Sequence, residues 1–204
     1  MINITPYTDY LTGVLTPPRL LHSMGVMDTM TELAGIYALD PDTALLTGLL
    51  HDAAKDLPEA HWQAIVIEAG IEIQHPYEQN NSLYLHGPVG AALVSKELGV
   101  HDPLLLEAIA THTFMGGGPN FDHALMWCLR FSDLLEPNRN WSQTPCMRDG
   151  MPMLRATVYA GQLAEAANLH TAMVIELFES QGFPVHPNHR RKLAGVGGRM
   201  TVEM

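Results

Sequence analysis

Apolar residues recur every three or four positions along most of this chain, which is the spacing of one face of an α-helix. The first such segment begins at Pro17 and Pro18, and its repeating positions are His22, Val26, Met30, Leu33 and Tyr37. Prolines are tolerated in a first helical turn, so they mark the start of this helix. No segment shows the sustained alternation of apolar and polar residues that is typical of a strand. The pattern predicts an all-α protein without a sheet.

Prolines, glycines and capping residues divide the rest of the chain into further predicted helices. Their expected bounds are Asp40-Pro41 to about Lys55, Pro58 to about Ala69, Gly87-Pro88 to Leu98, Asp102-Pro103 to His112, Asp122 to about Leu135, and Pro152 to about Gln181. Residues 71–84 and 138–151 are predicted to be irregular because they lack helical periodicity. The segment Phe114–Phe121 contains three successive glycines, and we expect it to be mobile, as segments that cover active sites are.

The length of 204 residues and the composition predict one packed domain. The sequence is 47% hydrophobic and only 16% charged, which is unlike a disordered protein. We expect a single domain, a compact helical bundle with a long C-terminal helix, over residues 1–185. The segment 186–204 carries its basic residues among glycines, and we expect a loosely ordered basic tail there, formed around Arg190, Arg191, Lys192 and Arg199.

The charge balance excludes several classes of partner. A formal net charge of −11 repels a phosphate backbone, so we expect neither a nucleic acid nor an anionic membrane as partner. The first sixteen residues lack the pattern of a secretory signal, and no apolar run approaches the ~18 residues that span a bilayer. We therefore expect a cytoplasmic protein. With only Cys128 and Cys146, a four-cysteine zinc site is excluded.

Two adjacent polar residues, His51 and Asp52, stand near the end of an otherwise apolar predicted helix. Burying them would be costly unless a partner compensates them. On a helix they share a face with Lys55 and with Gly48, whose missing side chain lets another element approach closely. This pair is the first candidate for chemistry in the chain.

Similar polar residues occur about once per predicted helix in apolar surroundings: His22, His86, His112 and Asp133. Together with His51 and Asp52 they offer imidazole nitrogens and carboxylate oxygens without thiolate sulfur. Such a ligand set favours iron, manganese or zinc over a structural thiolate zinc site or a calcium site. Each of these histidines alone has an ordinary alternative role as a hydrogen-bonded core or surface residue.

The order of these residues and their flanks resembles the HD-domain superfamily of metal-dependent phosphohydrolases, and within it the YqeK-type branch of symmetrical diadenosine tetraphosphate hydrolases. The segments that carry the resemblance are Arg19 to Val26, Gly48 to Lys55, Leu85 to Ala91, Ala108 to Thr113, and Asp133 to Arg139. The resemblance implies an HD-type helical fold and hydrolysis of a dinucleoside polyphosphate, with a small nucleotide as the partner molecule. It also implies a dinuclear centre, with iron favoured and manganese or zinc as alternatives.

Carried over to this sequence, the resemblance assigns roles to individual residues. It implies that His22, His51 and Asp133 hold one metal ion, that His86 and His112 hold the other, and that Asp52 bridges them as a catalytic residue. Lys55 is implied as a catalytic and substrate-binding cation. The other implied substrate contacts are Arg19, Thr113 and Arg139.

Several alternatives remain open at this point. Asp133 could pair with Arg130 at the surface, Lys55 could complement a helix C-terminus, and Glu136 could form an ion pair with Arg139 at a helix end. The second His-Asp dipeptide, His101-Asp102, is interpreted as a helix cap because Pro103 follows it.

The sequence also leaves alternative functions open. The protein could be a nucleotidase acting on a mononucleotide, a sensor that binds metal and nucleotide without turnover, or an oxygenase with the same ligand set. A homodimer is also left open.

Overall fold

The computed structural model describes residues 2–114 and 119–192. Along these residues nine α-helices follow one another: α1 Thr5–Val14, α2 Pro17–Ile36, α3 Pro41–Leu50, α4 Glu59–Glu68, α5 Ser82–Leu98, α6 Pro103–Thr111, α7 Ala124–Leu135, α8 Pro145–Tyr159 and α9 Leu163–Ser180. Residues 187–192 are also helical, and no described residue lies in a strand. The predicted all-α fold is therefore confirmed. No helix among the described residues is both long and apolar enough to cross a membrane.

The chain divides into two compact units, of which the first ends at Asn138 and the second begins at Arg139. The single domain predicted over residues 1–185 stays a prediction. In the segment predicted as a loose tail, His186 and His189 are buried, while Arg190 and Arg191 are exposed. Residues 193–204 lie outside the described part of the chain, as do residues 115–118 of the segment predicted to be mobile.

The first unit packs its helices around a shared apolar core. Helices α1, α2, α3, α5 and α6 supply the core, while α7 lies against α2, α3 and α6. Among its most completely buried side chains are Leu11, Leu49, Leu50, Val94, Leu105 and Ile109. Gly48 allows a close contact between two helices, since a Cβ added there would lie 2.9 Å from the Cα of Met27 in α2. The close approach expected at Gly48 is thus confirmed, and it is an approach of α2 to α3.

The predicted helix starts at Asp40-Pro41 and Asp102-Pro103 are confirmed. The Asp40 carboxylate accepts a hydrogen bond from the amide of Thr43 at 2.8 Å, and the Asp102 carboxylate accepts one from the amide of Leu104 at 2.9 Å. Both aspartates satisfy amides that a helix leaves unpaired at its first turn. The interpretation of His101-Asp102 as a capping pair is therefore confirmed.

Three predicted bounds in the first unit were wrong. Helix α5 begins at Ser82, capped by Asn81, so that His86 and Pro88 lie inside it rather than at its start. Helix α3 ends at Leu50, and residues 51–56 form turns in which the amides of Ala53 and Lys55 bond to carbonyls three residues back. Helix α7 is capped by His123 rather than by Asp122. In each case a local side-chain cap or a tighter turn overrides the apolar periodicity.

The second unit contains two helices where the sequence predicts one. Helix α8 begins at Pro145, so part of the segment expected to be irregular is helical. It ends before Gly161, whose φ of +75° is a left-handed conformation that glycine adopts without strain. Helix α9 then starts at Leu163 and packs against α8. A glycine after a helix end therefore breaks the single helix predicted from Pro152 to Gln181.

Candidate metal centre

Asp52 lies at the centre of the site, directly after α3. It is 2% exposed, and its two carboxylate oxygens face two different groups of histidines. Its Oδ2 atom is 3.6 Å from Nε2 of His51 and 3.8 Å from Nε2 of His22. Its Oδ1 atom is 3.3 Å from Nε2 of His86 and 3.7 Å from Nε2 of His112. One buried carboxylate thus contacts side chains from four separate segments.

Asp133 completes the group on the Oδ2 side. Its Oδ1 atom is 3.0 Å from Nε2 of His22 and 3.9 Å from Nε2 of His51. It comes from α7, whereas His22 belongs to α2. The alternative left open for Asp133, a surface pair with Arg130, is wrong, because Arg130 is buried and donates to the carbonyls of Met126 and Thr111.

The group on the Oδ1 side is held by α5 and the end of α6. The Nε2 atoms of His86 and His112 are 3.0 Å apart. The two helices approach closely here because Gly87 has no side chain: a Cβ there would lie 2.8 Å from the carbonyl oxygen of Ile109. The sequence therefore places a glycine where the segments that carry His86 and His112 meet.

Three of the four histidines are oriented by a hydrogen bond from Nδ1 to a main-chain carbonyl. The Nδ1 atoms of His51, His86 and His112 lie 2.8, 2.9 and 2.7 Å from the main-chain carbonyls of Gly48, Ser82 and Ile109. Because a carbonyl oxygen only accepts, these Nδ1 atoms carry the hydrogen. The Nε2 lone pairs then face the centre, as in histidines that bind metal ions.

The residues present fit metal ions. The Nε2 atom of His51 is fully buried and has no hydrogen-bond partner, which is costly for a polar atom unless another group satisfies it. Two groups have ligand atoms within 4.8 Å of one another: His22, His51 and Asp52, and Asp52, His86 and His112. Either group could hold an ion, and Asp52 belongs to both.

The protonation states suit this use. Burial lowers the pKa of His51 and of His86 to about 4, so both imidazoles are neutral at neutral pH. Burial would raise the pKa of Asp52, but the neighbouring His51 and Lys55 hold it well below its usual range. Neutral imidazoles and an ionised carboxylate are the forms in which these side chains bind metal ions.

Three of the predicted substrate contacts border this centre. The Arg19 guanidinium donates to Oδ2 of Asp52 at 2.9 Å. Lys55 Nζ is 3.2 Å from Nε2 of His86, and the Thr113 hydroxyl is 3.1 Å from the same nitrogen. The fourth, Arg139, belongs to the second unit, where its guanidinium lies 5.3 Å from the ring centre of Trp141.

Glu136 is the site residue that the sequence did not identify. It is 3% exposed, and its Oε1 atom accepts from Nδ1 of His22 at 3.0 Å. Its Oε2 atom accepts from the amide of Asn138 at 2.6 Å. The ion pair with Arg139 that the sequence left open stays a prediction. The only signal in the sequence is an acidic residue three positions after Asp133.

Comparison with known proteins identifies the class. A family model described as HD domain matches residues 19–172, so this protein belongs to the HD domain family. Two relatives are named symmetrical bis(5'-nucleosyl)-tetraphosphatase. The one from Bacillus subtilis is 37% identical over 61% of this chain and 64% of the relative. The one from Halalkalibacterium halodurans is 35% identical over 62% of this chain and 65% of the relative. The matches thus span less than two thirds of these relatives.

A solved structure extends the similarity to nearly the whole chain. It is a crystal structure of a protein from Clostridium acetobutylicum, described as a predicted HD superfamily hydrolase involved in NAD metabolism. The two chains are 33% identical with a TM-score of 0.84, and the match covers 98% of this chain and 99% of that one. The HD fold expected from the sequence motifs is therefore confirmed.

Proposed function

We propose that this protein is a metal-dependent phosphohydrolase that cleaves diadenosine tetraphosphate symmetrically into two molecules of ADP. The observation that carries the proposal is the buried carboxylate of Asp52 shared between two groups of imidazole and carboxylate ligands. Membership of the HD domain family and the names of the two relatives support the same reaction. Lys55 and Arg19 add cations next to the ligands, as a polyanionic substrate requires.

In this proposal His22, His51, Asp52 and Asp133 hold one ion, and Asp52, His86 and His112 hold the other. Bound metal ions would polarise phosphoryl oxygens and make water more acidic, which is the chemistry that hydrolysis at phosphorus needs. A donor set of nitrogen and oxygen without sulfur suits iron, manganese or zinc, and the resemblance to the YqeK-type branch favours iron among them.

The remaining side chains bind and orient the substrate. Lys55 and Arg19 neutralise phosphate oxygens where negative charge increases during the reaction. The Thr113 hydroxyl donates a hydrogen bond to a phosphate oxygen. The substrate contact expected of Arg139 stays a prediction from the sequence. A homodimer and a cytoplasmic location remain predictions.

Hydrolysis takes place at the central bridge of the tetraphosphate. The oxygen of a water molecule forms a bond to one of the two inner phosphorus atoms, and the bond from that phosphorus to the bridging oxygen breaks. The bridging oxygen leaves with the other half of the molecule. The two halves are then both ADP, and the two protons of the water molecule pass to the new terminal phosphates or, where these ionise, to solvent.

Product analysis tests this proposal. After incubation with diadenosine tetraphosphate and Mn²⁺ or Fe²⁺, chromatography should show ADP as the nucleotide product, two for each tetraphosphate consumed. In H₂¹⁸O, one ADP of each pair should carry the label, because a single bond to phosphorus forms. The protein treated with a chelator is the control and should leave the tetraphosphate intact.

Other products would contradict the proposal and favour an alternative. ATP with AMP would show asymmetric cleavage, and phosphate released from AMP with the tetraphosphate untouched would favour a mononucleotidase. Nucleotide that binds with metal but stays intact would favour a sensor. Full activity without oxygen would exclude the oxygenase alternative.

A further inference from the structure

The candidate metal centre has two halves, one formed by His22, His51 and Asp133 and the other by His86 and His112. They differ in the groups that accept the Nδ1 hydrogens of their histidines. His51, His86 and His112 each donate their Nδ1 hydrogen to a neutral main-chain carbonyl. His22 instead donates it to the Glu136 carboxylate, at 3.0 Å. An anionic acceptor makes the opposite ring nitrogen a stronger electron donor than a neutral one does. The Nε2 atom of His22 is therefore a stronger electron donor towards a bound cation than the Nε2 atoms of the other three histidines.

The charged side chains next to the two halves differ as well, and they also favour cation binding in the half that contains His22. On the Oδ2 side of Asp52, Asp133 lies 3.0 Å from His22 and Glu136 lies behind it, while Arg19 supplies one positive charge. On the Oδ1 side, the neighbouring charge is the ammonium of Lys55, 3.2 Å from His86 Nε2. Among these contacts, the first half has an excess of negative charge and the second an excess of positive charge. Cations are attracted more strongly to the first half.

The position of Glu136 is built into the fold rather than adopted by a mobile side chain. The residue is buried, and its Oε2 atom accepts from the Asn138 amide. Gly25 lies on α2 one turn after His22, and a Cβ there would collide with Glu136 Oε2. The missing side chain at Gly25 therefore provides the space that the carboxylate occupies.

We propose that Glu136 is a positioning residue that makes the two metal positions unequal. Through His22 it makes the half formed by His22, His51 and Asp133 the tighter one, and the half formed by His86 and His112, beside Lys55, the weaker and more exchangeable one. This inference rests on the metal centre of the proposed function. It adds that the ions bind in sequence rather than with equal affinity.

Titration of the chelator-treated, metal-free protein with Mn²⁺ in a calorimeter tests the inference. The unaltered protein should show two binding events of different affinity. Glu136→Gln should raise the dissociation constant of the tighter event by about 10–100-fold, as loss of a partner behind a ligand histidine does. The weaker event should change by less than about threefold, which is within 0.7 kcal/mol. His86→Ala should remove the weaker event and so assign it.

Glu78→Gln is the matched control. Glu78 is the other strongly buried glutamate of the described chain at 2% exposure, and it accepts from the amide of Gln74 rather than from a ligand histidine. It should leave both dissociation constants unchanged. If Glu136→Gln does not fold, Gly25→Ala tests the same contact, because it displaces the carboxylate without removing it. It should weaken the tighter event selectively.

The outcomes separate this inference from the proposed function. Equal weakening of both events, or an unchanged tighter event in Glu136→Gln, would overturn the inference. If only the melting temperature of the metal-free Glu136→Gln protein falls and the metal affinities stay, Glu136 merely holds the turn at Asn138. Absence of any Mn²⁺ binding by the unaltered protein would instead overturn the metal centre itself.

Discussion

Asp52→Ala is expected to lose both bound metal ions and to hydrolyse diadenosine tetraphosphate at least about a thousand-fold more slowly, a loss of about 4 kcal/mol of transition-state stabilisation. The effect is large because Asp52 is the residue common to both ligand groups, with one oxygen 3.6 Å from His51 and the other 3.3 Å from His86. Metal content by mass spectrometry and ADP release should fall together.

His101→Ala is the control for this prediction. His101 belongs to the chain's second His-Asp dipeptide, and its ring contacts the hydroxyl of Ser95 at 3.3 Å, while Asp102 caps α6. The variant should keep its metal and its activity. Metal bound at full occupancy in Asp52→Ala, or an equal loss in His101→Ala, would contradict the assignment of Asp52.

A second large effect is expected from a single methyl group at Gly87. Gly87→Ala should lower the free energy of unfolding by about 1–3 kcal/mol, because the added Cβ would lie 2.8 and 2.9 Å from the carbonyl oxygens of Ile109 and Ala110. Each kcal/mol corresponds to roughly 2–4 °C in melting temperature for a chain of this size. The variant should also bind metal more weakly, because it separates His86 from His112.

Gly90→Ala in the same helix is the matched control. There an added Cβ would meet its nearest neighbours, in Ala54 and Ile109, at 3.7 Å, which is ordinary contact. Replacing a helical glycine by alanine without a clash stabilises by roughly 0.5–1 kcal/mol. Thermal unfolding should therefore shift in opposite directions for the two variants. A shift in the same direction would contradict the close contact of α5 with α6.

The helical fold could be predicted from the sequence because its signals are local. Proline after aspartate gave the starts of α3 and α6, and those aspartates cap the helices as expected. The errors arose where a local signal was weak or was misread. The start of α5 depends on Asn81, and the break between α8 and α9 depends on Gly161, whereas prolines inside α5 and α8 suggested false starts.

The sequence named the residues of the candidate site, but it could not show how they are arranged. Order and flanking residues pointed to six ligands, and the structure brings the nitrogens and oxygens of all six together. The sequence could not show which ring nitrogen faces the centre, because that depends on main-chain carbonyls such as that of Gly48. Nor could it show the contact of Glu136 with His22, since 114 positions separate the two residues.

Anomalous X-ray diffraction from crystals of the Mn²⁺-loaded protein tests the central claim most directly. The account predicts two anomalous peaks on opposite sides of the Asp52 carboxylate, one in contact with His22 and His51 and the other in contact with His86 and His112. A single peak, no peak, or peaks only away from Asp52 would contradict it.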